Sequence, residues 1–72
     1  MKKTKKIKII LNGKSRSLQK SISVYDLTRS LKLSIDKVAI ELNKEIINKK
    51  MIKNLYLKNN DKIEIVHFIG GG

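Results

Sequence analysis

The most distinctive chemistry in this sequence lies at its end, where Gly70-Gly71-Gly72 follows an alternating apolar run and is expected to end in a free carboxylate. Glycine brings no side-chain group. Whatever this segment does must come from a slim backbone, permissive dihedrals and the carboxylate itself. Three extended residues reach about 10 Å at ~3.3–3.6 Å each, enough to enter a narrow cleft while a folded body stays outside. That suits a carboxylate delivered into another protein's active site, with Gly72 as the reacting end and Gly70 and Gly71 as the inserted arm. The competing expectation is an ordinary frayed terminus.

Other reactive groups are sparse. His67 is the sole histidine and has no companion ligands at metal-binding spacing, so it predicts neither a metal site nor acid–base chemistry. Asp61 and Glu64 stand three residues apart across a turn and a strand, without the pattern of a catalytic pair. Cysteine is absent, which excludes a disulfide framework, a thiolate metal site and a thiol nucleophile. No residue is assigned a catalytic role and none a metal.

The elements that would hold the tail can be read in order. Ile7, Ile9 and Leu11 alternate with more polar neighbours as one face of a strand. Asn12-Gly13 closes it, a hairpin signal because a type I′ turn needs positive φ at both central positions. Lys14 to Lys20 continues as a polar strand suited to a sheet edge. Ser23 and Asp26 have capping-box spacing, and Val24, Leu27, Thr28 and Leu31 form the apolar stripe of a helix over about Val24 to Lys32, with Tyr25 on its surface side. Val38 to Leu42 reads as a central strand, Asn43-Lys44-Glu45 as a turn, and Ile46-Ile47 as a short return strand. Residues 48 to 60 show no clean period, although Met51, Ile52, Leu55 and Leu57 could anchor a short helical turn. From Lys62 to Ile69 a last strand places Ile63, Ile65, His67 and Ile69 on one face and Lys62, Glu64, Val66 and Phe68 on the other. Apolar residues on both faces mark this strand as central or as a binding surface. Val66 and Phe68, joined by Ile10 on the first strand, are the candidate docking residues beside the tail.

This order predicts an α+β fold: a β-grasp, or ubiquitin-like, mixed sheet with one main helix packed on it and a flexible C-terminal glycine tail. Residues 1–6 are expected as a basic disordered arm, 7–69 as the domain and 70–72 as the functional tail. At 72 residues there is little room for an internal active site, which favours a carrier or binding module over an enzyme.

A formal charge of +11, from 17 Lys plus Arg against six acids, raises the question of nucleic acid. Only Arg16 and Arg29 are arginines and only Tyr25, Tyr56 and Phe68 are aromatic, which leaves no stacking or base-reading platform. Nucleic acid is therefore not the expected partner; the charge reads first as a lysine-rich solvated surface, and second as one that could steer association with an acidic partner. The apolar runs Ile9 to Leu11 and Ile65 to Ile69 are too short to span a bilayer, and Lys8, Asn12 and Lys14 interrupt any signal-peptide core after the basic start. The expected setting is the cytoplasm or an equivalent reducing compartment, such as a plastid stroma.

Three blocks resemble the ThiS family of sulfur carriers in thiamin biosynthesis: Ile9-Ile10-Leu11-Asn12-Gly13-Lys14, Asn43-Lys44-Glu45-Ile46-Ile47, and Asp61 through Gly72. The resemblance spans about Ile7 to Gly72, and its most specific part is the strand running directly into the glycines. It departs from the family pattern in the long basic arm, in Asn59-Asn60-Asp61 and in a missing proline after the middle block. The resemblance implies that a ThiF-like enzyme, using ATP and magnesium, adenylates the Gly72 carboxylate. A persulfide donor then supplies sulfur to give a thiocarboxylate, and a ThiG-like thiazole synthase takes it into the thiazole ring. No cofactor is expected on the chain itself.

The nearest alternative is a MoaD-like carrier for molybdopterin synthesis, with the same fold and tail chemistry. A ubiquitin-like modifier would instead form lysine conjugates. A small basic RNA-binding domain would bind with a steep salt dependence and survive loss of the glycines.

Overall fold

The computed structural model describes residues 6–68; residues 1–5 and 69–72, including the Gly70, Gly71 and Gly72 tail, lie outside the described residues. The chain forms β1 (Lys6–Leu11), β2 (Lys14–Gln19), α1 (Val24–Ser30), a 3-10 turn at Ile35–Lys37, β3 (Val38–Leu42), β4 (Glu45–Ile46), a 3-10 helix at Lys49–Asn54 and β5 (Lys62–His67). The five strands make one sheet in the order β2-β1-β5-β3-β4. β1 and β5 are parallel, and every other pair is antiparallel. This is the β-grasp arrangement, with the polar β2 at one edge as its composition predicts and β5 at the centre. Lys6, assigned by sequence to the arm, opens β1 opposite Gln19.

Local sequence accounts for most of the turns. Asn12 (φ 50°) and Gly13 (φ 83°) both adopt the positive φ that a type I′ hairpin requires. Asn43 (φ 52°) and Lys44 (φ 73°) do the same between β3 and β4. Ser23 caps α1 fully: its Oγ accepts from the Asp26 N–H at 3.0 Å, and its own N–H donates to Asp26 Oδ2 at 3.2 Å.

The helix ends two residues sooner than its apolar stripe suggests. Lys32 turns to φ 60°, its N–H donates to Arg29 O, and the Leu33 N–H donates to Thr28 O, both at 3.0 Å. Those two bonds make a Schellman stop, with lysine in the place usually held by glycine. Tyr25, expected on the surface, is half-buried against the core edge, with Lys53 Nζ 5.0 Å and the Arg29 guanidinium 5.8 Å from its ring centroid.

One sheet face is dry. Ile9, Val24, Leu27, Val38, Ile40, Ile52 and Ile63 are almost wholly buried, joining β1, β3 and β5 to α1 and to the 3-10 helix. Period two in the strands and the 3.6-residue period in α1 direct these side chains to one layer.

Asparagine side chains extend the sheet where backbone pairing stops. Asn12 Oδ1 accepts from the Ile65 N–H at 2.8 Å, and its Nδ2 donates to Ile65 O at 3.3 Å. The turn residue thereby adds a rung between β1 and β5 beyond the one its own backbone makes, where the Asn12 N–H donates to Ile63 O at 2.9 Å. Asn12→Ala removes both bonds and strands the Ile65 N–H, so we expect a loss of about 1–3 kcal/mol of stability. Urea unfolding checks this; an unchanged midpoint would mean that the rung contributes nothing.

Candidate functional site

The site is built around the end of β5, because that strand leads into the glycines. Its early part is held on one side by β1, where the Ile10 N–H donates to Asp61 O and the Asn12 N–H to Ile63 O, both at 2.9 Å. On its other side β3 pairs with it from Leu42↔Ile63 to Val38↔His67. One residue further, the Phe68 N–H donates to Lys37 O at 2.9 Å. The chain is thus hydrogen-bonded up to Phe68, two residues before the first tail glycine.

Val66 and Phe68 are 59 % and 56 % exposed; Ile46, Met51 and Tyr56 are also more than half exposed elsewhere on the surface, and what sets the first two apart is their place at the end of β5. Val66 stands opposite Ala39 of β3 on the sheet face turned away from α1. Ile10 shares that face but is level with Lys62, four residues back along β5 and about 13 Å away at ~3.3 Å per residue. The structure therefore brings Val66 beside Ala39 and sets Ile10 at the other end of the strand. Gly70, Gly71 and Gly72 lie outside the described residues.

Two contributors escape a reading of the sequence by period. Ile46, 78 % exposed, pairs with Glu41 and extends the apolar surface of the open face beyond Ala39. Its signal was the doublet Ile46-Ile47, since neighbouring residues in a strand point to opposite faces and only Ile47 packs against the core. Lys49 reaches the root of the tail from the 3-10 helix, with its Nζ 5.3 Å from the Phe68 ring centroid. No periodic signal marks it among so many lysines.

The remaining titratable candidates have structural roles or none. Asp61 is buried, its carboxylate accepting from the Lys58 N–H at 2.7 Å and from Asn43 Nδ2 at 3.0 Å, which ties the β5 entry turn to the β3–β4 hairpin. Glu64 faces Glu41 across the ladder, and Asp61 is committed elsewhere. His67 is exposed at the rim of a cleft of about 280 Å³ lined also by Leu11, Asn12, Leu31, Leu33 and Ile65. Among the described residues no three His, Cys, Asp or Glu side chains are grouped to hold a metal ion, and no helix is long and apolar enough to cross a membrane.

What the arrangement can do is present a strand end, rigidly paired, with an apolar surface beside it. The same body occurs in known proteins. The chain is 44% identical over 63 residues to the sulfur carrier protein ThiS of Bacillus subtilis, covering 86% of this chain and 96% of that one. It is 39% identical over 66 residues to a thiazole synthase of Paramagnetospirillum magneticum, covering 92% of this chain but spanning only 20% of that protein's length. Its fold superposes on the crystal structure of the thiamine biosynthesis protein ThiS from Geobacter metallireducens with a TM-score of 0.79 at 29% identity, over 92% of this chain and all of that one. The ThiS family model matches residues 9–72, which takes in the fold and the glycines together. The chain belongs to the ThiS family, the sulfur carriers of thiamin biosynthesis.

Proposed function

We propose that the sulfur is carried on the Gly72 carboxylate, as a thiocarboxylate made in steps by partner proteins. A ThiF-like enzyme with ATP and magnesium would adenylate the carboxylate, its cationic groups neutralising charge at the α-phosphate as the carboxylate oxygen attacks. Pyrophosphate leaves, and the outer sulfur of a persulfide donor displaces AMP to give an acyl disulfide. A thiol reductant cleaves that bond, releasing the thiocarboxylate and a disulfide of the donor with the thiol. Gly70 and Gly71 supply a backbone narrow enough for the partner's cleft, and the chain acts as substrate and donor rather than as catalyst. The observation that carries this reading is the central position of β5, hydrogen-bonded up to Phe68 and followed almost at once by the glycines.

Delivery is to a ThiG-like thiazole synthase. The match of this body to a fifth of a thiazole synthase chain supports that pairing, since a carrier domain and its acceptor are then parts of one protein. The working compartment is a reducing one, the cytoplasm or a plastid stroma, which suits a chain without cysteine. Docking uses Val66 and Phe68 beside the tail, with Ile10 at the margin of the same face.

Phe68→Asp tests the docking claim. Phe68 is more than half exposed, so the unfolding midpoint is expected to move by less than ~1 kcal/mol equivalent. Affinity for the adenylating enzyme should fall roughly tenfold or more, as for an aromatic anchor at an interface. Binding measured by calorimetry beside thermal unfolding separates the two. Unchanged affinity, or a large stability loss, would place Phe68 outside the interface. Capture of a thiazole synthase rather than a molybdopterin synthase large subunit distinguishes the ThiS reading from the MoaD-like one.

A further inference from the structure

Lys49 is the least expected participant near the tail. Its Nζ donates to Ile35 O and to Val38 O, each at 2.8 Å, while lying 5.3 Å from the centre of the Phe68 ring. Those two carbonyls flank Lys37, whose own carbonyl accepts the Phe68 N–H at 2.9 Å. One ammonium therefore braces the short segment that receives the last described backbone bond of the tail strand, and also attracts the aromatic ring of the residue so bonded. The side chain is half-buried, which strengthens bonds from a charged donor and weakens competition from water. Most of the other lysines on this chain are exposed; this one is spent on the root of the tail.

We propose that Lys49 is a positioning residue for sulfur loading: it fixes the direction in which the chain leaves the sheet and holds one face of Phe68, leaving the ring's other side to the partner. The inference rests on the thiocarboxylate reading above and adds to it a residue distant in sequence from the glycines. The physical argument is preorganisation. A tail root already held in place loses less freedom when the partner binds, so the effect belongs to productive docking and not to the bond-making step. Ammonium charge alone does not suffice, because the two carbonyls and the ring need donors placed at one point. Arginine keeps the charge and stacks on aromatic rings, but its donors are spread over a planar fork instead of gathered at one nitrogen. Methionine keeps much of the apolar stem but removes every donor.

The experiment compares wild type, Lys49→Met and Lys49→Arg as substrates of the cognate adenylating enzyme, following pyrophosphate release against carrier concentration. Lys49→Met is expected to raise KM about three- to tenfold with kcat within twofold, and Lys49→Arg to restore only part of the loss, because it keeps the charge but not the donor geometry. Amide hydrogen exchange on the free proteins provides a readout independent of the enzyme. In Lys49→Met the Phe68 amide should exchange at least several-fold faster while Ile63 and Ile40 keep their protection. An unchanged KM with unchanged Phe68 exchange overturns the proposal, as does a uniform loss of protection through the sheet, which would make Lys49 a general stabiliser. If wild type itself releases no pyrophosphate, the loading reading fails, while the exchange result still decides whether Lys49 holds the tail root.

Discussion

A chain carrying one extra alanine after Gly72 is expected to take up no sulfur. The added residue turns the Gly72 carboxylate into a neutral amide and moves the ionised group outward by roughly 3.5 Å, the length of one extended residue. An amide oxygen is a far weaker nucleophile towards the α-phosphate than a carboxylate. The displaced carboxylate, for its part, no longer meets the geometry that the enzyme has prepared, and a misplacement of about 1 Å can already cost ~100-fold in rate. Adenylation followed by pyrophosphate release should therefore fall at least ~100-fold. Stability should not change, because among the described residues the buried apolar side chains lie between Ile9 and Ile65. Retained loading of the extended chain would move the sulfur-bearing atom away from Gly72.

The largest effect on stability is expected at Ile63. This side chain is wholly buried on the central strand, paired with Leu11 on one side and Leu42 on the other. Truncation to alanine leaves a cavity that strands on both sides must collapse to fill, and such changes cost about 2–5 kcal/mol. A domain of this length has only about 4–11 kcal/mol in total at ~0.05–0.15 kcal/mol per residue. Ile63→Ala should accordingly lose a large part of its stability in urea. Val66→Ala, on the same strand but on the open face, should stay within about 0.5 kcal/mol. Equal losses for the two variants would contradict the one-sided core. Loss of function in Ile63→Ala reports unfolding, whereas loss in a tail variant reports chemistry.

The parts of this fold that could be read from sequence are those where one local rule dominates. Asn12-Gly13 forms the expected hairpin turn, Ser23 and Asp26 form the expected cap, and the alternation through Ile63 and Ile65 gives the buried face of β5. Local rules failed where lysine does a task usually given to glycine. Lys32 ends α1 at positive φ, so nothing in the residue type announces that stop; Lys44 also stands at positive φ, but inside the turn expected at Asn43-Lys44-Glu45. The stretch before β5 hides a 3-10 helix at Lys49–Asn54, too short to show a period but long enough to bury Ile52.

The candidate site divides in the same way. Exposure of Val66 and Phe68 was legible because a strand with apolar residues on both faces, beneath a single helix, must leave one face open. The place of Ile10 was not, since the parallel register of β1 on β5 is a tertiary fact. Asn12 bonds to Ile65 across 53 residues, and Lys49 reaches back 14 residues to Ile35. Neither partner could be named before the chain was folded.

Intact-mass analysis tests the central claim most directly. The purified chain is incubated with the cognate adenylating enzyme, ATP, magnesium, a persulfide donor and a thiol reductant, and the product is then digested and its C-terminal peptide weighed. An oxygen-to-sulfur mass increment is expected on the peptide that ends in Gly72 and on no other, and it should be absent when ATP is withheld. An active enzyme that leaves this peptide unchanged, or an increment found on any other peptide, would contradict that claim.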